Sequence, residues 1–325
     1  MMRAFRLNEI GADPVLTTAP RPTPAVGEVR IRIAACGLNF ADLLMIAGRY
    51  QERPALPFTL GMEVAGVVDA LGPGVRQPMP GTRVAVFAGQ GGLADYGCFA
   101  ADRCLPLPDG IGFETAAALQ IAYGTGHLAL TRRATLGAGE TLLVTGAAGG
   151  VGLAAVEIGK ALGARVIAVA RGTDRLAVAE KAGADHLIDG DSTDLAAQIK
   201  ALGGVDVAYE TIGGAIFDAT LRAMRPEGRL LAIGFAGGTV PQVPANILLV
   251  KNVAVIGLYW GGYNRFAPEI LSQSLAEMLA WQQAGRIAPH VSHALPLSRA
   301  AEGLALLRAR AATGKVVVRC DDQAE

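Results

Sequence analysis

The chain has 325 residues, a length that suits two domains better than one or three. It is 51% apolar and 18% charged, which excludes a disordered chain, and its 29 basic residues are balanced by 29 acidic ones, which leaves no basic stripe for nucleic acid. Its 42 glycines exceed the roughly 23 that a typical share would give; with no Gly-X-Y period, and with apolar runs between them, they point to tight turns and close backbone approaches rather than to collagen or low complexity.

Residues 1–110 read as short strands and turns. The segment 28–35 (EVRIRIAA) is strand-like between Gly27 and Gly37, and 63–72 and 82–88 are further β-branched runs ended by glycine. A Pro/Gly stretch at 106–112 then leads into a long helical segment, 113–134. After it the pattern changes. Leu142–Thr145 is a short apolar run without alternation, as in a parallel strand buried on both faces. Val151–Leu162 predicts a helix, Arg165–Ala170 a second strand, Asp206–Glu210 and Arg229–Gly234 two more, with a helix at Ala215–Met224. This β-α-β alternation predicts a doubly wound parallel sheet. Helices at Pro268–Ala284 and Arg299–Arg310 follow, and a last strand at Lys315–Arg319 is expected to return to the first domain.

The N-terminus lacks the apolar core of a signal peptide. The longest uncharged run, Leu230–Val250, is broken by Pro241 and Pro244, so no membrane helix is expected. Cys36, Cys98, Cys104 and Cys320 form no Cys-x-x-Cys pair and no framework spacing. A reduced, cytoplasmic setting is the expectation.

The clearest chemical signal is Gly146–Gly152, G-A-A-G-G-V-G, between a predicted strand and a predicted helix. Gly149 allows a pyrophosphate to approach the backbone, with Gly150 and Val151 opening the helix toward it, and Gly152 allows helix and strand to pack closely. The first position of the motif is Ala147, so it reads A-x-G-x-x-G; the bland alternative is a tight turn with no ligand. Where an NAD site would place an acidic residue after the second strand, this chain runs into Arg171, with Arg175 four residues on. Arginine there suits a 2′-phosphate, so NADPH is the expected cofactor. The alternative for Arg171 is a solvated loop arginine, and Asp174 stands close enough in sequence to neutralise either one.

Taken together, segments 37–50, 56–68, 122–130, 145–152, 243–252 and 312–318 make the chain resemble the medium-chain dehydrogenase/reductases, and within them the zinc-free NADPH:quinone oxidoreductases of the zeta-crystallin-like branch. The resemblance implies an α/β chain: a Rossmann dinucleotide-binding domain at 123–260 and a β-rich GroES-like catalytic domain, a partly open barrel, from 1–122 and 261–325, with the active site in the cleft between. It implies that Asn39 and Thr125 meet the nicotinamide side and that Arg175 and Arg310 meet the 2′-phosphate. It further implies that Gly234, Phe235, Leu258, Tyr259 and Trp260 wall the cofactor cleft, that Lys315 follows the C-terminal glycine as a further cofactor contact, and that Tyr50 is an active-site tyrosine. The places of the zinc ligands in related enzymes are filled here by Asn39 and by Gly61-Met62-Glu63, a poor donor set, so no metal is expected. His290 and His293, three apart in an extended segment, are not expected to share an ion. Two departures stand out: one family tyrosine is replaced by Leu44, and another, which often covers the adenosine phosphate, by Gly190.

Hydride transfer needs a held nicotinamide, an acceptor carbon stacked on it and dry walls, not a nucleophile–base pair. Tyr50 and Asn39 are the catalytic candidates, as hydrogen-bond donors to the acceptor oxygen. Their bland readings are a half-buried turn tyrosine and a turn-forming asparagine; Trp260 reads as a cleft wall or dimer contact before a substrate platform. The expected activity is zinc-independent, NADPH-dependent reduction of a small quinone or enone. An enoyl-thioester or alkenal reductase, and a weakly active NADPH-binding structural or regulatory protein, remain as alternatives. The resemblance also implies a homodimer joined through the Rossmann sheets; the uncharged, Gly-rich stretch Ala236–Val250 and the strand Val253–Leu258 are the candidate contact elements, the alternative being that this stretch packs internally.

Overall fold

The computed structural model describes residues 1–321; the four beyond them, which the sequence reading assigned to the first domain, lie outside the described residues. The chain divides into two compact units.

The first unit comprises Met1–Ile121, Leu275–Gln283 and Pro289–Glu325, described as far as Asp321. Its main sheet has seven strands. The central one, Glu28–Leu38, pairs antiparallel with Glu63–Leu71, with Tyr96–Ala100 and with the last strand, Lys315–Arg319. The return of the C-terminal strand therefore matches the expectation. Glu28–Ile33 alternates, with Val29, Ile31 and Ile33 fully buried, which is the period-2 signature of a half-buried strand. From Ala35 to Leu38 both faces are covered. Gly37 lies in this stretch, and a Cβ there would overlap the Glu63 carboxylate and the Ala117 carbonyl. A smaller sheet joins Met2–Leu7 to Val15–Ala19 and Phe58–Thr59. None of these three strands was legible in the sequence.

The second unit comprises Ala122–Ser274 and Ala284–Ala288. Six strands form one parallel sheet. In spatial order they are His186–Asp189, Arg165–Ala170, Thr141–Thr145, Val205–Glu210, Met224–Ala232 and Ala254–Gly257. Leu143, Ile167, Val169, Ala208 and Leu230 are shut from water on both faces, as the unalternating apolar runs implied. Helices Gly150–Ala161, Thr173–Lys181, Leu195–Ala201 and Gly214–Ala223 connect the strands. Gly159 is where the first of these helices presses on Leu142 of the sheet.

Several boundaries differ from the sequence reading, among them the strand expected at Arg229–Gly234, which runs Met224–Ala232. The long segment 113–134 is an α-helix only over Phe113–His127; the next turn, Leu128–Arg133, widens to a π-helix. Ala122 and residues 261–274 and 284–288, expected in the first domain, belong to the second unit. Polar contacts account for this grouping. Ser274 Oγ lies 2.8 Å from His127 Nδ1, the Arg286 guanidinium donates to the Ala161 carbonyl, and the Ala288 amide donates to Glu157. No described helix is long and apolar enough to cross a membrane.

Candidate functional site

Ligands of open parallel sheets bind beyond the carboxyl ends of the strands, where the strand order reverses. In this sheet the reversal falls between Thr141–Thr145 and Val205–Glu210. The turn after the first of them is Gly146–Gly149, and Gly149 stands immediately before helix Gly150–Ala161. No side chain caps that helix, so its first-turn amides and the positive end of its dipole are left for an external anion. Gly152 is obligatory for the turn, because a Cβ there would overlap the Gly146 carbonyl. Gly149 is different: a Cβ would stand 3.4 Å from the Gly146 oxygen, with φ at −82°. Its small size is not demanded by the fold.

The neighbouring strand ends add the rest of this edge. Ala170 pairs with Asp189, so Arg171 and Gly190 stand side by side, with the Gly190 amide donating to the Ala170 carbonyl at 3.0 Å. Arg171 is half exposed and only loosely paired, its Nε lying 4.0 Å from Asp191 Oδ1. Arg175 is half-buried in the first part of helix Thr173–Lys181, and Asp174 takes a first-turn position that suits the helix dipole. Gly234 and Phe235 follow strand Met224–Ala232, and Leu258, Tyr259 and Trp260 follow strand Ala254–Gly257. The structure thus brings Gly149, Gly150, Val151, Arg171, Gly234, Phe235 and Leu258–Trp260 to one edge of one sheet. Thr125 is buried on helix Phe113–His127. Trp260 is buried too, and its indole packs on Gly124, where a Cβ would overlap it.

The turn on the other side of the reversal was missed in the sequence. Glu210, fully buried, ends strand Val205–Glu210 and folds its carboxylate back into the turn. It accepts from the amides of Ile212 at 2.8 Å and Gly213 at 3.0 Å, and from Thr145 Oγ1 at 3.0 Å. Thr145 and Thr211 close the gap between the two strands, with the Thr211 amide donating to Thr145 Oγ1 and Thr211 Oγ1 donating to the Thr145 carbonyl. Burial pushes the Glu210 carboxyl above its ordinary range, and these donors hold it down only in part.

Of the remaining candidates, Asn39, Tyr50, Arg310 and Lys315 belong to the first unit. Asn39 stands at the N-terminus of helix Phe40–Ile46. Its amide donates to Asp42 Oδ2 at 2.8 Å, one half of a capping box. Its side chain is buried against Glu63 and Lys315. Lys315 Nζ donates to Glu63 Oε1 at 2.6 Å, to Asn39 Oδ1 at 2.7 Å and to the Leu38 carbonyl at 2.9 Å. Those three acceptors use all three ammonium protons, so a direct cofactor contact by Lys315 requires that one of them be exchanged. Asn39 Nδ2 donates to Glu63 Oε1 at 2.8 Å, and Glu63 Oε2 accepts the Ile121 amide at 2.7 Å. Asp42 is fully buried, and burial lifts its carboxyl to about 6 against the opposing Asn39 amide and Lys315 ammonium. Tyr50 is half-buried in the loop after the helix, Leu44 is half-buried within it, and Arg310 is exposed just past helix Ala300–Arg308 with φ of 54°. A cavity of about 280 Å³ beside that loop is lined by Ile10, Met45, Gly48, Arg53, Leu56 and Phe58 among others.

Among the described residues no group of three or more His, Cys, Asp or Glu is disposed to hold a metal ion. Met62 is buried, Glu63 is committed to an ammonium, and Asn39 lies between Glu63 and Lys315, so this donor set does not fit zinc. His293 Nδ1 lies 2.9 Å from Ser292 Oγ, and His290 Nε2 lies 3.1 Å from Thr313 Oγ1.

A Rossmann sheet with an open phosphate-type turn, joined in one chain to a GroES-like β domain, defines the medium-chain dehydrogenase/reductase class. Residues 25–109 match the family model described as alcohol dehydrogenase GroES-like domain, and residues 150–278 match the one described as zinc-binding dehydrogenase. Quinone oxidoreductase-like protein 2 of Bos taurus is 40% identical over 92% of this chain and 86% of that protein. The synaptic vesicle membrane protein VAT-1 homolog of Homo sapiens is 33% identical over 92% of this chain and 81% of its own length. Among solved structures, the quinone oxidoreductase of Thermus thermophilus, studied also as its complex with NADPH, is 35% identical and superposes with a TM-score of 0.87 over 98% of this chain and 99% of that one. The Escherichia coli quinone oxidoreductase complexed with NADPH is 29% identical, with a TM-score of 0.89 over 98% and 100%. The chain belongs to the quinone oxidoreductase family of the medium-chain dehydrogenase/reductases.

Proposed function

We propose that the chain is a zinc-independent, NADPH-dependent reductase that delivers hydride to quinones or related conjugated carbonyls. The observation that carries this reading is the uncapped helix N-terminus at Gly150, at the strand-order reversal, with Arg171 and Arg175 following the adjacent strand. The residues fit the cofactor. Gly149, Gly150 and Val151 would meet the pyrophosphate, and Arg171 and Arg175 the 2′-phosphate, with Arg310 as a further basic contact. Gly234, Phe235, Leu258, Tyr259 and Trp260 would wall the cofactor and keep water from it, and Thr125 would meet its nicotinamide side. When bound, NADPH supplies the hydride. Asn39 and Tyr50 would donate hydrogen bonds to the acceptor oxygen that gains negative charge. The zinc-independent part is supported by a donor set that does not fit zinc.

A homodimer forms part of the reading. Helix Ala245–Lys251 has no buried residue, Leu249 and Val250 are 77% and 73% exposed, and strand Ala254–Gly257 lies at the sheet's edge. A second copy would cover both. A cytoplasmic setting is supported by four cysteines that are all thiols.

The test is NADPH oxidation with 1,4-benzoquinone, an alkenal and an enoyl-CoA, together with metal analysis and light scattering of the purified chain. Highest kcat/KM with the quinone is the expected outcome; a higher value with the thioester transfers the reading to an enoyl reductase. Tight NADPH binding with no turnover of any acceptor, or stoichiometric zinc, would refute it.

A further inference from the structure

The buried cluster around Asn39 contains more charge than a stable fold requires. Lys315 and Glu63 are 4% and 0% exposed and form an ion pair across 252 residues of sequence. Replacing such a pair by apolar groups of similar volume is often neutral or stabilising, because burial costs both ions their water. Stability alone therefore does not account for it.

Its effect on Asn39 does. An ammonium only donates and a carboxylate only accepts, so the amide has one permitted sense: Oδ1 toward Lys315 and Nδ2 toward Glu63. The Lys315 ammonium on Oδ1 also draws charge across the amide, which strengthens its N–H groups as donors. One of those two hydrogens is held by Glu63 at 2.8 Å. The other has a weaker partner, the Gly37 carbonyl at 3.4 Å, and is the one most readily given to a new acceptor. Gly37 itself leaves the room that the Glu63 carboxylate occupies.

We propose that Glu63 and Lys315 are positioning residues that fix and polarise the Asn39 amide for donation to the oxygen of the hydride acceptor. Lys315 then acts through Asn39 and not on the cofactor. This rests on the role given to Asn39 under the proposed function.

The experiment uses the full chain with NADPH and 1,4-benzoquinone. Glu63→Gln combined with Lys315→Met removes both buried charges at once and leaves neither stranded. Its kcat is expected to fall on the order of tenfold, with the NADPH Kd, read from cofactor fluorescence, unchanged. In an Asn39→Ala background the same pair of substitutions is expected to add no further loss, because the group they act through is gone. Retained kcat, losses that add independently of Asn39→Ala, or an NADPH Kd that weakens in step with kcat would each overturn the proposal. Should the double variant fail to show a cooperative melt, Glu63→Gln alone answers the question: it keeps Lys315 on Oδ1 but replaces the carboxylate on the Nδ2 side by a neutral amide that no longer accepts only, and the same non-additivity is expected. A wild-type chain that binds NADPH and reduces nothing removes the underlying reading; variants that keep full turnover remove only the positioning role.

Discussion

The two strand-to-helix turns at the centre of the parallel sheet solve one problem in opposite ways. Both run through glycines into a helix, Gly146–Gly149 into Gly150–Ala161 and Thr211–Gly213 into Gly214–Ala223. Both concentrate amide donors at the carboxyl end of a strand. In the first, no side chain answers the helix end. In the second the helix end is likewise without a side-chain cap, but the chain's own Glu210 carboxylate accepts the two turn amides that precede it, Ile212 and Gly213. The second turn contains a carboxylate among its amides, and the first does not. The lesson is that two glycine-rich turns of similar sequence can differ in whether the preceding strand supplies a carboxylate to the turn amides. The first unit repeats the self-satisfied device on a smaller scale, where Asp42 accepts the Asn39 amide.

The comparison breaks most visibly at Glu210. Glu210→Ala strands the Ile212 and Gly213 amides and the Thr145 hydroxyl in a buried turn, and is expected to destabilise the fold by about 3–5 kcal/mol. Glu210→Gln keeps an acceptor and is expected to cost about 1–2 kcal/mol. Urea denaturation checks both, and equal losses would mean that the carboxylate is not what holds the turn. Gly149 and Gly152 sharpen the same point on the open side. Gly152→Ala drives a methyl into the Gly146 carbonyl and is expected to lose about 1–3 kcal/mol along with NADPH binding. Gly149→Ala meets nothing closer than 3.4 Å, so its melting temperature should stay near wild type while NADPH affinity falls on the order of tenfold. Unchanged affinity in Gly149→Ala would sink the pyrophosphate assignment.

These turns also mark what the sequence could convey. The parallel strands were legible because burial on both faces leaves unbroken apolar runs, and the open turn because its glycines sit between a strand and a helix. Strand Lys315–Arg319 was legible as a strand that needed a partner elsewhere. Glu210 was read only as the last residue of a strand, since nothing local says that its carboxylate folds back. Glu63 and Lys315 were noticed separately, one as an occupant of a zinc-ligand place and one beside a glycine. Their ion pair is a product of the antiparallel return of the last strand beside Glu28–Leu38, and no periodicity encodes it. Small residues inside a helix were likewise opaque: Gly124 and Gly126 make sense only once Trp260 and Ile158 are seen against them.

Asp42 extends the contrast to pH. Its carboxyl is lifted to about 6, first by burial and also by the nearby Glu63 carboxylate, against the Asn39 and Gly61 amides and the Lys315 ammonium. Cys36, whose thiol is itself pushed up by burial, also faces it. Because the folded value lies above the unfolded one, the folded state holds the proton more tightly. The resulting stability is fully present below about pH 4 and is lost as pH rises through about 6, at most about 3 kcal/mol. The proton has a place to go, since Oδ1 is buried with no partner while Oδ2 keeps the Asn39 amide. Asp42→Asn removes the titration, so its unfolding free energy relative to wild type should rise between pH 4.5 and pH 7. A difference that is flat with pH would show that Asp42 ionises normally.

The smallest effect is at the end of the neighbouring strand Arg165–Ala170, where Arg171 meets an internal anion too weakly to be satisfied by it. Asp191 lies 4.0 Å away and both groups are largely in water. An exposed pair of this kind is worth about 0–1 kcal/mol, so the aspartate competes with a 2′-phosphate only modestly. Asp191→Asn is therefore expected to lower the KM for NADPH by about two- to fivefold while leaving that for NADH unchanged, with the gain fading as salt screens the site. Arg175→Ala should move the same ratio the other way, raising the KM for NADPH more than that for NADH. Equal changes for both cofactors in either variant would place the 2′-phosphate elsewhere. The graded result would complete the contrast: a carboxylate fully inside the turn at Glu210 holds structure, whereas one loosely outside it at Asp191 only tunes which nucleotide is preferred.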